Sequence, residues 1–455
     1  MDPIERIREA ISVLWAAPPD DGVTPERSVA FPDLLAACGE INPRVNGGFA
    51  VLALENALRA LGAPWMRVAN VQPLAPSPAE AAQRLAASLR ATRGRRRHLC
   101  PLDGADRLPA WSFGPNRVVQ FSPAELDSIV GPARLLRQNP RWSFDTQAFA
   151  QVQWLVVDED VVLDPNPSVR AVPLLGSIIG EGDGRISPHA GRLPSAVEEA
   201  LFALLLRPWE EIVEYATFDW RPFRVPWVYS VDDDIFASPA APPDPTTLSW
   251  TEVALNSADG DVIDVERPVS WPLDAKTVGE WSALDDKSWH QFKVAQESSL
   301  LAQRPVLHFV IRGFFGEGID EFLAHITAVE AALALPRDHY REPGKSKRRT
   351  REQAPPGQPV PWRPKRPDGS DPGATERLNS RIVALLGPGT GKNEFSDLYG
   401  KRSDFIHGKS MPTGIPAEQR FAARRLARKV VMEIVCRAAD NPSIDRDVFL
   451  SSLCP

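Results

Sequence analysis

Cysteine is scarce. The chain has 455 residues and four cysteines, Cys38, Cys100, Cys436 and Cys454. None belongs to a Cys-x-x-Cys pair, and none has a histidine at zinc spacing, which argues against a structural zinc site. The scattered thiols read as reduced, as in the cytoplasm. Long apolar runs are missing too. No stretch reaches the roughly 18 apolar residues of a membrane-spanning helix, so no membrane partner is expected. Met1 to Trp15 carries Asp2, Glu5 and Glu9 and lacks the apolar stretch of a signal peptide.

Several catalytic and binding signatures are absent as well. Gly387-Pro388-Gly389-Thr390-Gly391-Lys392 invites a phosphate-loop reading, but the spacing fails. Leu386 stands where the first Gly belongs, and Asn393 where Ser or Thr would hold magnesium. A helix stop and turn explains the cluster better. Asp232-Asp233-Asp234, and Asp259 with Asp261 and Asp264, do not fit the twelve-residue calcium loop and read as exposed turns. Ser195 and the cysteines have no recognisable nucleophile context, so no hydrolase triad is expected. The expected inventory contains no metal and no cofactor.

What is present is ordinary globular material. Hydrophobic residues make up 43% and charged residues 24%, which excludes a wholly disordered or fibrous chain. The length suits two to four domains. Proline is abundant at 45 residues, about twice the usual share, so stiff turns and linkers are many. The net charge is −7, from 52 Lys and Arg against 59 Asp and Glu. It is unevenly spread. Residues 337–437 hold 22 Lys and Arg against 11 Asp and Glu, a net of +11 that leaves −18 for the rest. Such a basic part suits an anionic partner or a solvated surface.

The pattern predicts a multidomain α+β protein in three regions. Residues 1–95 read as helical. Ile4, Ile7, Ile11 and Leu14 recur at helical spacing; Phe49, Leu52, Leu54, Leu58 and Leu61 do so up to a Gly62 cap; Ser77 with Glu80 opens a third helix. The knot Arg93 to His98 reads as that helix's exposed end, with nucleic-acid contact as the alternative. Residues 96–280 read as mixed and β-rich. Arg117–Phe121 is one strand, Trp154–Leu163 reads as two strands or a hairpin around Asp158-Glu159-Asp160, and Phe223–Val231 is an edge strand. Ser195 with Glu198 starts a helix there. Residues 281–455 read as helical, with apolar stripes at Phe322–Leu333, Leu378–Leu385, Phe395–Ile406 and Leu426–Val435. The Lys/Arg- and Pro-rich segment 337–373 cannot pack a core and reads as an inserted basic loop.

Within the third stripe, Arg402 lies three or four residues from apolar neighbours on either side. Glu330 and Arg381 occupy similar inward positions on their helices. Charged groups facing a core need partners. One buried network is expected, joining Glu330 to Arg402 or Arg381.

Arg402-x4-His407, in "LYGKRSDFIHG" (398–408), resembles the R-x4-6-H motif of HEPN domains, most closely the "YxxRSxxxHG" form of the Apea-like HEPN family. "FLAHITAVEAAL" (322–333) and "ERLNSRIVALLG" (376–387) resemble the helices before the motif, and 418–438 the one after it. The resemblance covers 281–455. It implies an all-α helical bundle that pairs as a homodimer, joining two motifs in one cleft, and in many members a metal-independent endoribonuclease of antiviral or toxin systems. His407 would be general acid and base, and Arg402 would stabilise the phosphorane oxygens. On a regular helix the two point about 140° apart, so one helix does not make a complete site. Ser403 and Asp404 lie between them; Asp404 either orients His407 or stands solvated. Lys345, Lys347, Arg348, Arg349 and Arg351 would bind RNA phosphates. Arg424, Arg425, Arg428 and Lys429 read as a solvated face first and an RNA surface second. Residues 1–280 would sense or select, and a regulatory protein is a further expected partner. The alternative is a non-catalytic HEPN module for dimerisation and for RNA or protein binding.

Overall fold

The computed structural model describes residues 2–16, 27–46, 48–63, 74–131, 134–136, 141–171, 193–210, 221–256, 262–271, 273–301, 304–339, 373–387, 392–408 and 414–454. The protein is α+β, with one five-stranded sheet and many helices. It forms two compact units. The first is Met1–Val197 with Pro222–Pro272, and the second is Glu198–Arg221 with Leu273–Pro455. The boundaries therefore differ from the three expected regions, since 1–95 and most of 96–280 share a unit. The reason is a shared core: Ile235 and Phe236, which follow the sheet, pack among the N-terminal helices.

In the first unit α1 (Pro3–Ala16), α2 (Phe31–Ile41), α3 (Gly48–Leu61) and α4 (Pro78–Arg90) bury Ile7, Ile11, Leu14, Leu34, Leu54, Leu58 and Leu85. Gly62 ends α3 at φ 85°, a left-handed position that suits glycine, and Ser77 Oγ caps α4 by accepting from the Glu80 N–H. Phe49 departs from its expected stripe and stands exposed.

The basic knot is a strand, not a helix end. β1 (Arg93–Pro101) lies inside a sheet ordered β3-β4-β5-β1-β6, with β3 (Trp111–Phe113), β4 (Asn116–Gln120), β5 (Gln153–Val162) and β6 (Tyr229–Asp232). β5 is one strand rather than two, and the antiparallel register gives the physical reason. Arg95, Arg96 and Arg97 stand opposite Asp160, Glu159 and Asp158. The acidic run that looked like a break is the complement of the basic run. Arg97 donates to Asp158 at 2.6 and 2.8 Å, and Arg96 to Asp232 of β6 at 2.7 Å. Opposed charges add about 0.2–1 kcal/mol per pair. One sheet face delivers Leu99, Trp154, Val156 and Tyr229 to a core with Phe149 and Trp227. β2 (Gly104–Ala105) pairs parallel with β9 (Ser270–Trp271), and β7 (Trp250–Asn256) forms a hairpin with β8 (Val262–Pro268). Among the described residues the unit also carries the short helices α5 (Pro123–Val130), α6 (Thr146–Phe149) and α7 (Pro167–Ala171).

The described elements of the second unit are helical: α8 (Ser195–Leu205) from Glu198 on, α9 (Ala275–Ser282), α10 (Asp286–Glu297), α11 (Pro305–Phe315), α12 (Gly318–Leu333), α13 (Ala374–Leu386), α14 (Lys392–Ile406), α15 (Ala417–Asp440) and α16 (Arg446–Ser452). The expected stripes are buried: Phe322, Ile326, Val329 and Leu333; Leu378, Ile382 and Leu385; Leu426, Val430, Ile434 and Val435. α12 packs along both α11 and α15. Among the described residues no helix is long and apolar enough to cross a membrane, and no group of three or more His, Cys, Asp or Glu is placed to hold a metal ion.

Two of the α15 arginines read as a solvated face, Arg424 and Arg428, are instead turned to buried carboxylates. Arg424 is fully buried, and Arg428 reaches the buried Glu210 through Nε at 2.7 Å. The centre is Glu321 of α12, itself fully buried. It accepts from Arg424 Nε at 2.8 Å and also from Arg424 Nη2, with Arg420 Nη1 at 3.5 Å and Arg221 Nη2 at 3.4 Å. The Arg424 guanidinium lies 4.2 Å from the Trp209 ring centroid, so its flat face is covered as its edge is bonded.

His325, one turn after Glu321, is sealed in this region. Among the described residues neither ring nitrogen has a hydrogen-bond partner, and a Cβ added to Gly313 would come 2.6 Å from the ring, so only glycine fits beneath it. Burial, then the charges of Arg424 and Arg221, push its pKa well below the usual histidine value; the Glu321 carboxylate lies 3.9 Å away. The native ring is therefore neutral, while the unfolded chain binds a proton near pH 6.5. Stability is full above that pH. It falls as pH drops below it, by up to about 1.4 kcal/mol per pH unit. Urea unfolding at pH 7.5 and 5.5 should show that loss, and His325→Leu should flatten it; equal slopes in the two proteins would refute this assignment.

Candidate functional site

The site expected from the motif sits on α14. Gly387, at φ 94°, closes α13 with its N–H on the Val383 carbonyl at 2.9 Å. The helix stop read at 387 is thus present, while 388–391 lie outside the described residues. α14 then buries Phe395 and Leu398, with Tyr399 against Phe395 at 5.6 Å between ring centroids. Arg402, one turn on, lies over the Tyr399 ring, 5.4 Å from its centroid.

Arg402 meets Glu330 across the α14–α12 contact, Nη2 to Oε2 at 3.1 Å, with side-chain exposures of 24% and 17%. This is the ion pair expected from two charged residues placed on apolar stripes. A half-buried guanidinium with a carboxylate on its edge and an aromatic ring on its face is held in place. The pair itself adds less than about 1 kcal/mol.

His407 follows the last helical residue. Its N–H donates to the Ser403 carbonyl at 3.0 Å, and the Gly408 N–H to the Phe405 carbonyl at 3.0 Å. Gly408 has φ 73°, so the chain leaves the helix in a left-handed step. His407 is exposed, while Ser403 and Asp404 are half-buried. The end of the apolar stripe is not covered: Phe405 is 40% and Ile406 54% exposed. The expectation that both lie in the core is thus corrected. They form an apolar edge beside the imidazole.

Arg381 is not part of this cluster. It is buried against Asp338, with Nη2 to Oδ1 at 3.0 Å and a second, Nη1 contact to the same carboxylate. Its Nε donates to the Leu450 carbonyl at 3.0 Å and Nη1 to the Leu333 carbonyl at 2.8 Å. It ties α13 to the ends of α12 and α16, a structural task. Burial pushes Asp338 up, but the Arg381 hydrogen bond, the Leu335 N–H and the charges of Arg381 and Arg377 outweigh it, leaving the carboxyl below its usual range. Lys345, Lys347, Arg348, Arg349 and Arg351 lie outside the described residues.

Chemically, α14 presents a braced guanidinium and, at its exposed end, an imidazole. The first can bind anionic oxygens, and the second is a residue type that can donate or accept a proton. Compared with protein-family models, curated proteins and solved structures, the chain finds no match.

Proposed function

We propose that the second unit is an endoribonuclease of the HEPN type that works without a metal ion, with residues 281–455 as the HEPN-like part. The supporting observation is the setting of the motif. Arg402 is braced by Glu330 at 3.1 Å, and His407 is exposed directly after the same helix. Cleaving RNA without a metal requires removing a proton from a 2′-OH and giving one to the leaving 5′-oxygen. His407 performs the proton transfers, and the planar fork of Arg402 binds the phosphorane oxygens. Two motifs in a homodimer complete the site, and the exposed Phe405 and Ile406 next to His407 suit burial against a second copy. The first unit is the sensing or selecting part of a cytoplasmic defence or toxin protein, with a regulatory protein as a further partner.

That same apolar edge also favours the second reading, a non-catalytic HEPN module that pairs with another chain or holds RNA. Cleavage of labelled RNA by the full chain in excess EDTA separates the two. Glu330 is a positioning residue in the first reading. Glu330→Gln should lower the cleavage rate about tenfold with nearly unchanged melting temperature, because it loosens a guanidinium rather than removing it. An unaltered rate, measured beside the melting curve, would deny Glu330 that role.

A further inference from the structure

The sheet of the first unit carries a second constellation. β1 and β6 pair with His98 opposite Ser230 and Arg96 opposite Asp232. β1 and β5 pair with Arg96 opposite Glu159. Residues opposite one another, or two apart on a strand, share a face. Ser230, His98, Glu159, Arg96 and Asp232 therefore stand together on one face of three adjacent strands. Ser230 Oγ lies 2.7 Å from His98 Nδ1, and Glu159 Oε2 lies 3.1 Å from His98 Nε2. The ring between them is sealed, at 1% exposure. Ser230, on the edge strand, is half-buried, and the Glu159 side chain is 29% exposed.

The hydrogen positions follow from the partners. A carboxylate only accepts, so Nε2 carries the hydrogen and donates to Glu159. Nδ1 then keeps its lone pair and faces the Ser230 hydroxyl. Burial lowers the ring's pKa first; the Glu159 hydrogen bond and charge and the Asp232 charge raise it, Arg96 lowers it, and the net shift is downward. A neutral imidazole with its free nitrogen on a serine hydroxyl, and its other nitrogen fixed by a carboxylate, is the arrangement that activates a nucleophile.

We infer that Ser230 is a nucleophile, with His98 as its base and Glu159 as the positioning residue, that takes up the acyl group of a carboxylic ester at the sheet edge. In the first step Ser230 Oγ bonds to the ester carbonyl carbon while its proton passes to His98 Nδ1. The carbonyl π pair becomes an oxyanion, and Arg96, held by Asp232 at 2.7 Å on the same face, is the cation available to it. The C–O bond to the alcohol then breaks, and the alcohol leaves with the proton from Nδ1. Water attacks the acyl-serine with its proton taken by Nδ1, and the acid leaves as that proton returns to Ser230 Oγ.

The test is labelling of the full-length chain with a fluorescent alkyl fluorophosphonate, read by gel and by mass spectrometry. The expected result is one adduct per chain on Ser230, none in Ser230→Ala, and p-nitrophenyl acetate hydrolysis lost with it. Glu159→Gln should slow labelling at least tenfold and change its pH dependence, with the melting temperature held. That variant leaves Ser230 intact, so it remains informative if Ser230→Ala misfolds. An unlabelled wild type, a label that persists in Ser230→Ala, or a Glu159→Gln rate equal to wild type would overturn the assignment and leave the three residues as a clamp between strands.

Discussion

Glu321→Ala is expected to destabilise the second unit by about 3–5 kcal/mol, the usual consequence of breaking a buried ion pair. Glu321 is fully buried in α12 and is shared by Arg424, Arg420 and Arg221. Removing it takes a carboxylate from three guanidinium groups that are themselves largely buried. Size is not the issue, so Glu321→Met should be nearly as damaging. Adding Arg424→Met to Glu321→Met should recover part of the loss, because the pair is then replaced rather than split. Urea unfolding gives the magnitude, and hydrogen exchange of the α12 and α15 amides locates it. A loss below about 1 kcal/mol would mean that the cluster is dispensable.

The second large effect concerns the motif and rests on the proposed ribonuclease activity. His407→Ala and Arg402→Ala should each lower RNA cleavage by about 10²–10⁴-fold, the range for lost acid–base or charge-stabilising groups. The double variant should be little worse than the poorer single one, because groups that act as a unit are not additive. Arg402→Lys should not restore the rate, since a point charge does not replace the planar fork. His407 is exposed, so its variant should fold and melt as the wild type does. Cleavage rates and melting curves on the same preparations check this. Unchanged rates in both variants would remove the motif from the chemistry.

Periodicity carried most of the helical reading. The stripes of α12, α13 and α15 are buried as spaced, α1 buries all of its stripe but Ile4, and of the two partners expected for Glu330 the structure pairs it with Arg402. Charge was harder to read. Arg93–His98 looked like a helix end because its strand signal depends on Asp158-Glu159-Asp160, more than sixty residues away, lying opposite. The arginines of α15 looked solvated for a similar reason, since Glu321 and Glu210 sit on other segments. A signal was nevertheless present. Glu321 and His325 are four apart in a helix whose neighbouring residues are nearly all apolar, the pattern that singled out Glu330. Asp338, the partner of Arg381, lies at the start of the segment read as a basic loop that packs no core, yet it is buried, and its sequence gave no such cue. Ser230, His98 and Glu159 meet only through strand register, which no local spacing reveals.

The most direct measurement of the central claim is cleavage of end-labelled RNA by the purified full-length protein in excess EDTA, wild type beside His407→Ala, with the product ends identified. The account predicts cleavage by wild type alone and products ending in 2′,3′-cyclic phosphate. Equal cleavage by both proteins, or intact RNA with the wild type under every condition tried, would contradict it.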